Sequence, residues 1–265
     1  MSTQGPGVRS RVASRVAVCL VSLVVASSVP NAAEPTFVGC YAKRGKIVLA
    51  DSLYHYVLTG SAIELSDCEV VGRLDFPDVV RRKVSFLNCT FTDTVDLSGV
   101  HFSDTLQLRE CQLKTHASFN KATFGDLVNL EGSEFASTAS FLFARFEGSA
   151  YFHSCTFSDS CNFVLSKFDD WAYFKHVRFR GQSDFSNVTF RGWTSFTHAR
   201  FTARALFNSA AFLGNTSFGE VHFTGGADFA WSKMKGAVDF WHCSFKGSHW
   251  LPPVNLDNVL KRDLE

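Results

Sequence analysis

Residues 152–174 read FHSCTFSDSCNFVLSKFDDWAYF, and within them Phe152, Phe157, Phe163, Phe168 and Phe174 recur at spacings of five, six, five and six. The alternation runs without a slip from Phe86 to Phe245, with Leu97, Leu108, Leu113, Leu130 and Met234 taking the bulky position at their own steps. Two residues before each bulky side chain sits a smaller one, such as Cys89, Ala117, Ala150, Cys155, Ala172 or Ala199, with Leu106 a bulky exception. A continuous helix needs apolar residues three and four apart, and a half-buried strand needs alternation. Steps of five and six fit neither. They fit short straight segments joined by bends, each turning a small and then a large side chain inward to fill a narrow lumen. Four segments take 22 residues and close one square turn, so each residue lies about 4.8 Å from its counterpart 22 places on.

The pattern, a small residue followed two places on by Leu or Phe and renewed from about Ile63 to Phe245, resembles the pentapeptide-repeat family. The resemblance implies an all-β fold, a right-handed quadrilateral β-helix with short capping helices at its ends. The commoner form of the family keeps a strict period of five. This chain follows the Phe-rich form, in which alternate segments carry one more residue and two corners of every turn carry an extra outward position. The family's gyrase-directed members mimic DNA with acidic faces, and this chain resembles them in fold only.

The 265 residues, 46% hydrophobic with 28 Phe, suffice for one sizeable core. Residues 1–33 read as a signal peptide, with Arg9, Arg11 and Arg15 before an apolar run from Val16 to Val25 and small residues beyond it. That run is shorter than the roughly 20 residues of a membrane span. The expectation is therefore a secreted or periplasmic protein with no stable membrane span after removal of the signal. An uncleaved anchor, or a lipoprotein site at Phe37 to Cys40, is the weaker reading. Without the signal's three arginines the formal charge moves from +1 to −2, which points to no basic stripe for phosphate and no nucleic-acid partner.

The divisions expected are a signal at 1–33, a cap segment with a short helix at 34–62, the solenoid at 63–247 and a cap or tail at 248–265. Val48 to Leu58 is apolar at helical spacing and Gly60 is placed to end it. Asn255 to Glu265 has the pattern of a second short helix. Phe76 to Phe86 is one residue short for two steps and contains Pro77, so that side should be irregular, with Val79 or Val80 turned inward. Four turns and a little more than four again, about eight in all, make a rod on the order of 40 Å.

Eight cysteines in an exported chain suggest disulfides. The register places Cys68, Cys89, Cys111, Cys155, Cys161 and Cys243 at small inward positions instead, where a free thiol packs as a small hydrophobe. The sequence holds no nucleophile elbow, no HExxH, no Gly-rich phosphate loop and no CxxC pair. Neither an enzyme nor a cofactor is expected. The reading is a non-enzymatic scaffold that meets a protein partner or a second copy of itself, or serves as a structural envelope module.

Two surface regions stand out in the 22-residue register. On one face Tyr151 precedes Tyr173, Trp171 precedes Trp193, and His176, His198, Glu220 and His242 follow one another with Trp241 beside them. Rows of aromatic rings can bind sugars, and His and Glu at one spacing can hold a metal. The alternative function is thus a carbohydrate- or metal-binding module on that face. On another face Leu142 and Phe143 precede Val164 and Leu165, an apolar patch where polar residues are expected.

Overall fold

A computed structural model describes residues 39–250, so the signal at 1–33 and the second helix at Asn255 to Glu265 lie outside the described residues. The described chain is a parallel β-solenoid of about nine turns with one short helix. Its strands form four sheets, the four sides of the turn. Side one has ten strands, from Cys40–Arg44 to Val238–Asp239, and side two has ten, from Ile47–Leu49 to Ser244–Phe245. Side three has nine, from Leu74–Asp75 to His249–Trp250, and side four has eight, from Val79–Val80 to Lys233–Met234. Every pair is parallel and joins neighbouring turns, as in Tyr151↔Tyr173 and Arg178↔Arg200.

The alternation of small and large residues explains why this register is the stable one. The inward rings are almost wholly buried, and each lies flat on its successor: Phe152 on Phe174 at 4.7 Å, Phe174 on Phe196 at 4.8 Å. Rings from opposite sides meet edge to face, as Phe163 on side three and Phe174 on side one do at 5.6 Å and 88°. Offset stacks along the axis and edge contacts across it satisfy the aromatic quadrupole in both directions. A slip of one residue would turn this whole set toward solvent.

Partners are 22 residues apart except across one turn. Ile63↔Val84 and Leu74↔Val95 are 21 apart, whereas Val79↔His101 is again 22. The missing residue therefore falls between Asp75 and Val79, at Pro77. Val80, not Val79, is the inward side chain there.

The N-terminal segment differs from the expectation. Cys40–Arg44 pairs with Ala62–Ser66 and Ile47–Leu49 with Glu69–Val71, so residues 40–49 already build two sides of a turn and raise the count from eight to about nine. The helix Ala50–Leu58 takes the place of the other two sides. It buries Ala50, Leu53 and Val57 against Leu74–Asp75, the first strand of side three, whose edge pairs with no earlier strand among the described residues. Thr59 and Gly60 return their N–H groups to His55 and Val57, and Gly60 takes the left-handed φ of 78° that releases the chain into side one.

Candidate functional site: the corners and the aromatic side

The geometry of the corners decides what the surface can carry. Between sides one and two the chain makes a tight turn, for example Cys155 N–H to Phe152 C=O at 3.1 Å, with the third residue left-handed. Stacked turns give a column of left-handed residues: Gly45, Asp67, Asn88, Glu110, Gly132, Ser154, His176, His198, Glu220 and His242. A second column, between sides three and four, holds Gly99, Lys121, Phe143, Leu165, Asn187, Ser209 and Trp231. None of these is β-branched, as a positive φ requires. Both columns lie in the five-residue steps. The six-residue steps carry the extra outward residue, and Trp171 and Trp193 sit there, between sides four and one.

On sides one and three a polar residue just before the ladder position serves several of these turns. Asn129 accepts a hydrogen bond from the N–H of Glu131, Asn162 from Val164, Asp184 from Ser186 and Asp239 from Trp241, each across two residues. On side one this column reads Gln107, Asn129, Tyr151, Tyr173, Ser195, Ser217 and Asp239. Tyr151 and Tyr173 break it, since a tyrosine ring presents no acceptor at that reach. They stack on each other instead, at 4.6 Å and 12°.

Trp171 and Trp193 are 49% and 40% exposed. They do not stack flat as the register suggested. Their rings meet edge to face at 6.3 Å and 70°, because an open corner leaves each indole free to choose the quadrupole's preferred geometry. Tyr173 touches both, at 5.8 Å from Trp171 and 5.3 Å from Trp193. Burial among these rings raises the Tyr173 phenol above its ordinary value.

The histidines form a separate group across side one. His176 lies flat on His198, His153 meets His176 edge-on at 5.5 Å, and His198 Nδ1 is 3.2 Å from a Glu220 carboxylate oxygen. Burial, with His198 and His153 next, lowers the His176 pKa. Trp241 packs edge-on against His242 at 4.0 Å, and these two border a shallow depression with Glu220 and His222. The nine expected residues thus fall into an aromatic group (Tyr151, Trp171, Tyr173, Trp193), an imidazole group (His176, His198, Glu220) and the Trp241/His242 pair. Parallel imidazoles aim their nitrogens side by side and not at one point. Among the described residues no group of three or more His, Cys, Asp or Glu is arranged to hold a metal ion.

In the apolar patch, Phe143 and Leu165 are exposed while Leu142 and Val164 are half-buried. The patch is a corner ridge and not a flat face. Trp231, 78% exposed, stands three turns beyond Leu165 in the same column.

A family model described as Pentapeptide repeats (9 copies) matches the chain at residues 86–134, 97–144 and 130–178. No curated protein and no solved structure matches it.

Proposed function

The chain belongs to the pentapeptide-repeat family, and from that premise we propose that it is an exported, non-enzymatic scaffold whose solenoid holds a surface for a protein partner or a second copy. It would work in the envelope or outside the cell, as an interaction or structural module. The observation that carries this reading is the pair Phe143 and Leu165. Both are bulky, both are exposed, and both occupy left-handed positions. Such a conformation costs an L-residue about 1–2 kcal/mol, and the rest of the column is mostly glycine or polar: Gly99, Lys121, Asn187 and Ser209. A ridge kept apolar against that cost is suited to burial by another surface. The test is a pull-down and a sedimentation measurement on the wild type and a Phe143→Ser, Leu165→Ser variant. Loss of a partner band or of a dimer, with the fold intact, supports the reading; an unchanged partner set and oligomeric state opposes it.

A second reading, carbohydrate binding on side one, is favoured by a different observation. Tyr151 and Tyr173 replace the hydrogen-bonding residue of their column with a ring stack flanked by two exposed indoles. Rings held by strands need no ordering before a sugar docks. Titration of neutral oligosaccharides against tryptophan fluorescence, repeated with Trp171→Ala and Trp193→Ala, tests it. The imidazole geometry lends no support to a metal.

A further inference from the structure

A near-neutral formal charge conceals one local excess. Arg178 and Arg200 are in-register neighbours on side two, His222 follows Arg200, and Lys175 and Arg180 flank Arg178. All five are exposed. Most other arginines of the solenoid are matched with carboxylates: Arg145 and Arg191 share Asp169, Arg204 meets Asp228 at 3.1 Å, Arg44 meets Asp67 at 2.9 Å and Arg73 meets Asp96, while Arg81 and Arg82 are consecutive in one corner and do not repeat on the next turn. Among the described residues, Lys175, Arg178, Arg180 and Arg200 have no such partner. The carboxylates bordering the strip are engaged elsewhere, Glu220 with His198, Glu134 with the Ser158 hydroxyl and Asp159 with the Ser160 N–H. Like charges directly opposite on adjacent strands destabilise a sheet. Among the described residues no ion pair offsets Arg178 over Arg200.

We propose that this strip binds the anionic groups of an acidic glycan, with Arg178 and Arg200 as the paired contacts and Lys175 and Arg180 beside them. Guanidinium groups suit sulfate and carboxylate oxygens because their N–H donors form a planar fork. Parallel strands repeat that fork at about 4.8 Å, close to the advance of one sugar ring. The strip is two rungs deep and ends at Thr156 on one side and Ser244 beyond His222 on the other, which matches a few anionic groups and not a long phosphate track. The adjoining aromatic side offers ring faces next to it, but the charged contact does not depend on neutral-sugar binding there.

The experiment is affinity chromatography and calorimetry with a heparin-type sulfated hexasaccharide at low and near-physiological salt. The wild type should bind, more weakly as salt rises. Arg178→Ser with Arg200→Ser should lose at least about tenfold in affinity, and Arg204→Ser, which removes a paired arginine, should change it less than about twofold. Trp171→Ala with Trp193→Ala should retain the salt-sensitive component, which separates this site from the neutral-sugar reading. Failure of the wild type to bind, equal binding of a desulfated hexasaccharide, or tighter binding of a single-stranded oligonucleotide would overturn the assignment. So would a double arginine variant that binds as well as wild type. Because the pair is mutually repulsive, Arg178→Gln with Arg200→Gln should melt at or above the wild-type temperature at low salt. A fall of several degrees would make the arginines structural and end the proposal.

Discussion

The imidazole of His176 lies parallel to that of His198, with centroids 4.7 Å apart and 1° between the planes. Such a stack tolerates two neutral rings and resists two charged ones. His176 faces His153, Lys175, Arg178 and His198, and burial followed by these neighbours holds its pKa below the roughly 6.5 of an unperturbed imidazole. Because the folded pKa is the lower one, the unfolded chain binds more protons between the two values. Stability should therefore be complete above about pH 6.5 and decline as pH falls through the folded value. Melting temperatures at pH 7.5 and 5.5 should differ, and His176→Gln should narrow the difference. A variant with the wild-type pH profile would show that another group governs it.

The six inward cysteines are free and buried, while Cys40 is exposed. Cys155 donates its thiol to the Leu130 carbonyl at 2.9 Å and Cys243 to that of Phe218 at 2.7 Å. Burial pushes the Cys161 and Cys243 thiols up to about 12 and raises Cys111 and Cys155 as well. Cys89 is the exception, its pKa brought down to about 7 chiefly by a hydrogen bond with Cys111. Reactivity needs an accessible thiolate, and Cys68 and Cys89 are only 3% and 1% exposed, so an alkylating reagent near pH 8 should label Cys40 alone among these seven in the native protein. All seven should react after denaturation without reductant. Recovery of one thiol or none would mean that stacked cysteines such as Cys89 and Cys111 had been bridged.

What the sequence revealed follows from where its information lies. The lumen was legible because a repeated Phe at steps of five and six admits one closed register, and the shortened turn at Pro77 was legible because it broke that count. The first turn was not, since residues 40–49 carry no Phe at the ladder position and a nine-residue helix takes the place of its other two sides. The tyrosine stack and the Phe143/Leu165 ridge could be located from the 22-residue period. Their backbone conformation could not, because His, Phe, Leu and Trp carry no signal for a left-handed φ as Gly and Asn do. The basic strip on side two went unseen for a different reason. Arg178 and Arg200 fall together in the same 22-residue period, but acidic residues on the other sides cancel them in the total, and the near-neutral sum pointed away from a basic strip.

Left-handed backbone at Leu165 inverts the usual ranking of substitutions. Its φ is 60°, and both corner columns lack Val, Ile and Thr. Leu165→Val keeps the apolar character but adds a branch at Cβ, and it should destabilise by about 1 kcal/mol or more. Leu165→Asn removes a half-exposed side chain and relieves strain of about 1–2 kcal/mol, so its net effect on stability should be small. Urea unfolding of the two variants gives the order directly. If Leu165→Asn proves the more damaging, the corner is held by side-chain packing, and the proposed interaction ridge loses its motive.

Tyr151 and Tyr173 allow the most direct separation of stability from binding. Each occupies a position where Asn129, on the same side, accepts the N–H two residues ahead. Changing both tyrosines to Asn should restore two such turn hydrogen bonds, each worth about 1 kcal/mol. It also removes a stacked ring pair worth roughly 0.5–1.5 kcal/mol beyond its buried area. These effects oppose each other, and the solenoid should unfold at a urea concentration near that of the wild type. Binding has no such compensation. Without the tyrosine stack the two indoles lose the ring that contacts both, and any oligosaccharide signal in tryptophan fluorescence should disappear. The companion change Tyr151→Phe with Tyr173→Phe keeps the stack and should keep most of the binding. A double Asn variant that still binds would place the sugar elsewhere. One that fails to fold would show that the rings are structural, serving the turn in place of the hydrogen bond they displaced.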